Sequence, residues 1–542
     1  MQFSEVSALR TRQVLAGVWL VILVSLFHDP WSPVLTSPDS PVGPLAAEAH
    51  HCVAVQNHCA HSHSYPIGAP MFWGLLLPVL IAVLFLFGHE FWRRICPLSF
   101  FSQFGRSLDR LRRRRPWSNT GTVPAQVRAP KIAPDSWLGR HHLSLQFGLF
   151  YVALCGRILF VNSHRISLAL FMLSFIVAAA VVGFLYDGKT WCQYVCPVAP
   201  VEAFYTGPRG LFGSRAHVKN DPAVKVSQSM CRTVASPGAP EKSACVACKA
   251  NCIDIDAEKT YWLSLMQPDR QRLYYGYAGL VVAYFAYYFL YAGNWAYYFS
   301  GLWSHEADQH AHLLDSGFAM GLGLVVGGHT LILPKLLAVP LVLGGGALGG
   351  YALGRLGEAL LARRQRASLQ PLSREMLRHR CFTLTTFGIF NFFFVFGGYN
   401  LRALLPAGLA AYIPVLLSGL SALWLYRTWY RSPDDYSREV MEQKQRGRRP
   451  KPAPAAPAAA APEAAAAPPA KPKPAAKPAP TSEAAQAASP AEQASPAAAP
   501  APAPAPAAAP VPVAAPSRPA APQSVRVRFA ATGHPGSPRP GA

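Results

Sequence analysis

The chain has 542 residues, of which 51% are hydrophobic and only 14% are charged. Soluble domains carry about 25% charged residues, so this composition argues against a single soluble globular domain. A net charge of +23 would suit a nucleic-acid-binding protein. Here, however, the basic residues lie between long apolar segments, which indicates membrane topology and no nucleic-acid partner.

Eight apolar segments are long enough to cross a bilayer, which requires about 20 residues. They lie at about 12–27, 71–91, 143–162, 167–186, 273–292, 335–361, 382–401 and 405–426. The predicted fold is therefore all-α, a polytopic membrane helical bundle of about eight transmembrane helices. The first segment, within residues 1–27, is predicted to be an N-terminal membrane anchor, with a cleaved signal peptide as the alternative.

The distribution of Lys and Arg predicts how these helices are oriented. Residues 28–70 and 293–334 contain no Lys or Arg, whereas 92–142 and 361–380 are rich in Arg. Because basic loops remain in the cytoplasm, both termini are predicted to be cytoplasmic in a multi-pass protein of the cell inner (plasma) membrane. Residues 317–333 are apolar but rich in Gly, and are predicted to be re-entrant or interfacial rather than membrane-crossing.

The same pattern divides the rest of the chain into segments. Residues 28–70 form an outer loop rich in His and Cys, and 71–186 carry membrane helices 2–4. Residues 187–272 form a cytoplasmic cysteine-containing module, and 273–430 carry membrane helices 5–8. Residues 447–542 form an Ala/Pro-rich tail that cannot bury a core and is predicted to be disordered.

Two cysteine motifs stand at the predicted inner ends of helices. Cys192, Cys196 and Pro197 form a Cys-x3-Cys-Pro unit, which is the second half of the bacterial ferredoxin motif. Cys96 also precedes a proline, but Trp92 stands where the earlier cysteine would be. Thiolates are soft ligands that suit iron–sulfur clusters or zinc, so these motifs predict metal binding.

A third cysteine motif lies in the module at 187–272. Cys245, Cys248 and Cys252 match three of the four positions of a ferredoxin motif, and Cys231 is the natural fourth ligand. The simplest arrangement is one 4Fe-4S cluster on these four residues, with a second cluster involving Cys96, Cys192 and Cys196. A structural zinc is the alternative metal.

Sharing of ligands between clusters is a further alternative. Cys231, Cys245 and Cys248 would then bind with one Cys-Pro thiolate. Cys252 would bind with Cys192, the other Cys-Pro thiolate and Cys381, which follows a basic stretch predicted to lie at the inner face.

With these motifs the chain resembles the NosR/NapH-type membrane-bound iron–sulfur proteins, or membrane polyferredoxins. The resemblance covers roughly residues 71–262. Cys192, Cys196 and Pro197 match the family hallmark fully, and Cys96 matches its second half. The resemblance implies a small cytoplasmic ferredoxin-like module, one or two 4Fe-4S clusters, and electron transfer between the membrane and a redox protein partner.

The predicted outer face carries a second group of candidate ligands. They are His51, Cys52, Cys59 and His61 in one loop, and His305 and His310 in another. Imidazole and thiolate suit copper, zinc or iron, so the loops predict a metal or haem site. The alternative is a Cys52–Cys59 disulfide with solvated histidines, which is normal in an oxidising compartment.

A single arginine stands out inside an apolar segment. A charged side chain there is costly and often functional, so Arg157 could bind a quinone or a haem propionate. Alternatively, its side chain extends to the nearby lipid headgroups.

The predicted function is an integral membrane 4Fe-4S electron-transfer protein. It would pass electrons between a cytoplasmic or quinone donor and a redox partner at the membrane, with membrane lipid around it. No catalytic residue is assigned, since the motifs favour an electron-transfer component over a stand-alone enzyme. The alternatives are a membrane metal reductase or metallocofactor-assembly factor, and a zinc-stapled membrane scaffold or transporter.

Overall fold

A computed structural model describes most of the first 448 residues. The described residues are 5–37, 40, 52–56, 58–61, 64–107, 132–133, 135–186, 190–213, 232–233, 242–243, 257–305, 310, 313, 323–366, 372–399, 402 and 405–448. By its contacts the chain divides into Met1–Pro454 and Ala455–Ala542. The second unit, and with it nearly all of the predicted Ala/Pro-rich tail, lies outside the described residues.

The described part is mostly helical. Its helices are α1 (Glu5–Phe27), α2 (Ser32–Leu35), α3 (Gly68–Pro70), α4 (Leu77–Phe87), α5 (His89–Ile95), α6 (Pro97–Ser107), α7 (Trp137–Gly156), α8 (Arg165–Leu185), α9 (Ala199–Thr206), α10 (Ala257–Ser264), α11 (Pro268–Ala292), α12 (Ala296–Phe299), α13 (Lys335–Arg366), α14 (Arg374–Phe396), α15 (Ala407–Trp429) and α16 (Pro433–Arg448). Three π-helical segments, Met71–Leu76, Arg157–Val161 and Trp191–Val195, and a 3₁₀ turn, Leu302–Ser304, complete them.

Among the described residues, seven helices are long and apolar enough to cross a membrane. They span Ser7–Phe27, Gly68–Phe87, Trp137–Val161, Arg165–Leu185, Pro268–Ala292, Lys335–Arg366 and Gly408–Trp429. Each matches one of the eight predicted apolar segments, which supports the prediction of a helical membrane bundle. The agreement follows from the length of apolar chain that a bilayer requires.

The eighth predicted crossing differs from the structure. The segment predicted at 382–401 lies in α14, which begins at Arg374 with a charged turn and ends at Phe396. Its apolar portion, from Cys381 to Phe396, is therefore shorter than the roughly 20 residues of a spanning helix. Placing both termini in the cytoplasm needs an even number of crossings, so that prediction requires α14 to cross as well.

Three short antiparallel hairpins were not predicted. They pair β1 (Cys52–Val55) with β2 (His58–His61), β3 (Arg232–Thr233) with β4 (Lys242–Ser243), and β5 (Leu324–Val326) with β6 (His329–Leu331). The third hairpin lies in the Gly-rich segment at 317–333. Its described part therefore contains no membrane-crossing helix, as the sequence led us to expect.

Helix α11 lies at the centre of the bundle. In its most apolar window 67% of the residues are buried, against 11% for the window in α15. It packs closely on α13 through glycines: a Cβ added at Gly279 would lie 2.1 Å from the carbonyl oxygen of Gly346. The absence of side chains at these positions lets the two backbones touch, which is the usual way that membrane helices gain packing energy.

The end of α4 is fixed by a segment that follows α9. The backbone N–H groups of Leu211 and Phe212 donate to the carbonyls of Phe85 and Leu86, at 2.9 and 2.8 Å. At this point Gly88 adopts φ +82° and separates α4 from α5. The predicted segment 71–91 is thus interrupted there, and the charged residues after Gly88 lie in the separate helix α5.

Candidate metal centre

Three of the seven predicted cluster ligands lie in the described part of the chain. Cys96, Cys192 and Cys196 are free thiols and are 7%, 2% and 5% exposed. The other four, Cys231, Cys245, Cys248 and Cys252, lie outside the described residues. The predicted module at 187–272 is therefore described in part, at 190–213, 232–233, 242–243 and 257–272, without the four cysteines of its ferredoxin motif.

The two Cys-Pro turns have the same local geometry. Cys96 ends α5 with φ −57° and ψ 124°, and Cys196 ends the π-helical segment with φ −54° and ψ 118°. These are the extended angles that a residue before proline prefers. In each turn the cysteine carbonyl accepts a backbone N–H three residues later, from Ser99 and from Ala199. Cys96 therefore reproduces the conformation of Cys196 although its motif is incomplete.

Cys192 lies within a π-helical rather than an α-helical turn. The N–H of Cys196 donates to the carbonyl of Trp191, five residues earlier, at 2.8 Å. The equivalent bond at the first turn joins Cys96 to Trp92, four residues earlier. The π-helical turn therefore contains one residue more than the turn before Cys96. That turn contains Cys192, which has no counterpart beside Cys96. Such π-helical turns are frequent at functional sites.

A buried ion pair joins the two turns. Nε of Arg93 lies 2.7 Å from Oε2 of Glu202, and Nη2 of Arg93 donates to the carbonyl of Cys192 at 2.7 Å. Nδ1 of His89 lies 3.2 Å from the same carboxylate oxygen. All three side chains are about 1% exposed. Arg93 belongs to α5 and Glu202 to α9, so the pair holds the two Cys-Pro segments together.

The same charges act on both Cys-Pro thiols. Burial raises the pKa of Cys96, the Glu202 carboxylate raises it further, and Arg93 lowers it. Burial raises the pKa of Cys196 to about 12, again with Glu202 raising it and Arg93 lowering it, and Cys96 raises it too. Both thiols are therefore neutral at physiological pH, and a bound metal cation would be needed to make them thiolates.

A buried hydrogen bond ties α5 to the cysteine-rich segment. Oε1 of Glu90 accepts from the backbone N–H of Ala257 at 2.9 Å. Ala257 is the first described residue after Cys252 and begins α10. The chain that follows the ferredoxin motif therefore lies directly beside the helix that ends in Cys96.

The described residues do not by themselves complete a cluster site. Within them, no group of three or more His, Cys, Asp or Glu side chains lies close enough together to hold a metal ion. Cys381 interacts with Tyr275 and Glu358, and it is not among the groups that shift the pKa of Cys96 or Cys196. A 4Fe-4S cluster needs four ligands, so ligands beyond the described residues would have to join Cys96 and Cys196.

The described outer ligands of the first loop lie in a hairpin that contacts Ala292, at the end of α11. Cys52 and Cys59 form a disulfide, which is the alternative that the sequence left open, so neither is a free thiolate here. Nε2 of His61 lies 3.2 Å from Sγ of Cys59. His51 lies outside the described residues. The outer metal site stays a prediction.

The two histidines of the second outer loop have separate surroundings. His305 stacks on Tyr65 with ring centroids 3.6 Å apart, and burial lowers its pKa to about 4. His310 lies 4.5 Å, centroid to centroid, from His164, which was not among the predicted ligands. Burial and the neighbouring His310 lower the pKa of His164. No local sequence signal predicts this pairing, since the two residues are far apart in the chain.

Arg157 is buried rather than extended to the headgroups. Its guanidinium lies 3.9 Å from the ring centroid of Trp73 and 4.9 Å from that of Tyr284. Nε donates to Oδ1 of Asn162 at 3.3 Å, and Asn162 in turn donates to the hydroxyl of Tyr288 at 2.8 Å. Cation–π contacts of this kind stabilise a desolvated guanidinium, so Arg157 has a packing role in the bundle.

The described site thus consists of two buried Cys-Pro thiols, a cysteine in a π-helical turn and a shared ion pair. Thiolates are ligands for soft metals, but the described residues do not bring three such ligands together. No protein-family model, no curated protein and no solved structure matches the chain.

Proposed function

We propose that this chain is a membrane-embedded iron–sulfur protein of the NosR/NapH type that transfers single electrons. The observation that carries the proposal is the pairing of two equivalent Cys-Pro turns around one buried ion pair. The turns come from segments about 100 residues apart in sequence, yet Arg93 beside one turn donates to the carbonyl of Cys192 in the other at 2.7 Å.

The ligands proposed for the clusters come from two parts of the chain. Cys96, Cys192 and Cys196 would supply thiolates from the described turns, and Cys231, Cys245, Cys248 and Cys252 would supply the rest. The bond between Glu90 and Ala257 supports this assignment, because it brings the chain that follows Cys252 to the helix that ends in Cys96. A bound 4Fe-4S cluster would supply one-electron redox chemistry.

The surrounding residues would set the properties of that site. Arg93 and Glu202 place one positive and one negative charge beside the thiols, and His89 touches the same carboxylate. Buried charges and hydrogen bonds near the sulfurs are the features by which a protein adjusts the reduction potential of a cluster. Burial of the three cysteines would also keep water from the cluster.

The first experiment measures metal content. The full chain would be purified in detergent without oxygen, and iron, acid-labile sulfide and zinc would be measured per chain. About four iron and four sulfide are expected for one cluster and about eight of each for two. An EPR signal that changes on reduction with dithionite would identify the clusters. Zinc without iron or sulfide would contradict the proposal and favour the zinc-stapled scaffold.

Cysteine variants would test which residues are ligands. Cys196→Ser and Cys96→Ser are expected to lower the iron content or alter the EPR spectrum. Cys155→Ser is the matched control, because Cys155 is also a buried free thiol but belongs to the membrane helix α7. Unchanged iron and an unchanged spectrum in both Cys-Pro variants would show that the described turns hold no cluster.

A further inference from the structure

The hairpin of β1 and β2 presents its disulfide to solvent beside a histidine. Cys52 and Cys59 are joined, and both residues are exposed. Nε2 of His61 lies 3.2 Å from Sγ of Cys59. Residues two apart on a strand project from the same face, so the strand itself places this imidazole on the sulfur.

The hairpin is also held in place by contacts that do not involve the disulfide. Gln56 donates through its backbone N–H to the carbonyl of Ala292 at 3.1 Å and through Nε2 to that of Tyr291 at 3.0 Å. Nδ2 of Asn294 donates to the carbonyl of Ala54 at 2.7 Å. Val53 and Val55 are buried in the main core.

These contacts matter for the role of the disulfide. The bond joins residues only seven apart in sequence, and short loops gain less stability from a disulfide than long ones. The hydrogen bonds of Gln56 and Asn294 and the burial of Val53 and Val55 therefore hold the hairpin on the end of α11. The disulfide can be reduced while the hairpin stays in place.

We propose that Cys52–Cys59 is a redox-active disulfide that exchanges with protein dithiols at this end of the bundle. An exposed disulfide is open to attack by a thiolate, and exposed disulfides are the labile ones. A sulfur that accepts a hydrogen bond as it leaves is a better leaving group. This chemistry needs only the hairpin and does not depend on iron–sulfur clusters.

The exchange balances in two steps. A thiolate of the dithiol attacks Sγ of Cys52, the bond between the two cysteine sulfurs breaks, and Cys59 leaves as a thiolate. That thiolate accepts the Nε2–H hydrogen bond of His61 and then takes a proton from water. The second thiol of the dithiol loses its proton and attacks the mixed disulfide, which releases Cys52 to be protonated. The disulfide gains two electrons and two protons, and the dithiol loses the same number.

The experiment follows this one bond in the full chain in detergent. Free thiols would first be blocked with N-ethylmaleimide, and dithiothreitol would then serve as the dithiol probe. Newly released thiols would be trapped with isotopically labelled N-ethylmaleimide, and mass spectrometry would count the label in the peptide that contains Cys52 and Cys59. Reduction is expected without denaturant, and His61→Ala is expected to slow it by about tenfold, since the leaving sulfur loses its hydrogen bond.

Two further variants make the result specific. His58→Ala is the matched control, because His58 lies on the same strand three residues from His61 and is likewise exposed. It should be reduced at the wild-type rate, and His61→Gln, which keeps an N–H donor, should recover part of the rate lost in His61→Ala. A disulfide that resists dithiothreitol until the protein is denatured would overturn the proposal. Equal rates in His61→Ala and wild type would overturn it too. Neither readout involves iron, so this result is independent of the test of the clusters.

Discussion

Arg93 and Glu202 form a buried ion pair, with Nε and Oε2 2.7 Å apart, that lies beside both Cys96 and Cys196. The two side chains belong to helices α5 and α9, which follow different membrane-spanning segments. The pair thus fixes the distance between two Cys-Pro turns that share one geometry. The contribution of this ion pair to the free energy of unfolding can be measured separately from the metal content of the proposed cluster site.

Breaking this ion pair is expected to destabilise the protein strongly. Arg93→Met would leave the buried Glu202 carboxylate with only His89 beside it. Breaking a buried ion pair in this way typically costs about 3–5 kcal/mol of the free energy of unfolding. Replacing both residues, as in Arg93→Met with Glu202→Leu, should restore most of that loss, because no isolated charge then remains. Thermal or denaturant unfolding in detergent would measure both effects. A single variant as stable as wild type would show that water reaches this site.

Removing the hydrogen bond between Glu90 and Ala257 should lower the iron content of the protein. Glu90→Ala removes the acceptor that holds the start of α10, at a cost of about 1.5–3 kcal/mol for a hydrogen bond to a charged group. If the cysteine-rich segment supplies cluster ligands, iron per chain should fall in the purified variant. Glu90→Gln keeps an acceptor oxygen and should retain the iron. Equal iron in both variants and wild type would show that this tether does not position any ligand.

The crossing of α11 and α13 predicts opposite effects of neighbouring glycines. Gly350→Ala would place a Cβ 2.6 Å from Cα of Gly279, so the helices must separate. Overpacking of this kind costs about 1–3 kcal/mol. Gly349→Ala is the matched control, because a Cβ there meets no atom within 4 Å. Since Ala favours a helix interior by about 1 kcal/mol, the control should be as stable as wild type or more so. Melting temperatures of the two variants in the same detergent would decide the comparison.

His305 should make stability depend on pH in the acidic range. Its pKa is lowered by burial from 6.5 to about 4. Above pH 6.5 the ring is neutral in both the folded and the unfolded state, and stability is not reduced by His305. As the pH falls below 6.5, the unfolded chain takes up a proton before the folded protein does, so the free energy of unfolding decreases until about pH 4. The loss for this residue is at most about 3 kcal/mol.

A variant isolates this effect from other acid-dependent changes. His305→Phe keeps an aromatic ring to stack on Tyr65 but cannot bind a proton. Its free energy of unfolding should therefore decline less steeply than that of wild type between these pH values. If His305→Phe and wild type have parallel pH profiles, His305 titrates alike in both states.

The sequence by itself determined the membrane-spanning helices. Seven of the eight predicted segments coincide with helices long and apolar enough to cross, because hydrocarbon thickness sets a length that hydropathy reveals locally. The exception, α14, combines a charged first turn with a short apolar portion. The Cys-Pro turns also follow from the sequence, because a proline restricts the backbone angles of the residue before it in any fold.

Only the tertiary structure decided which distant residues meet. In the sequence, Arg93 is one of several basic residues at 92–142 and Glu202 belongs to no motif, yet the two are paired across 109 positions. From the sequence, Cys52 and Cys59 could either bind a metal or form a disulfide. They form the disulfide because the pairing of β1 with β2 brings them to a Cα–Cα distance of 5.4 Å. Composition and spacing describe each segment separately, whereas burial requires every charge to find a partner from whichever helix packs against it.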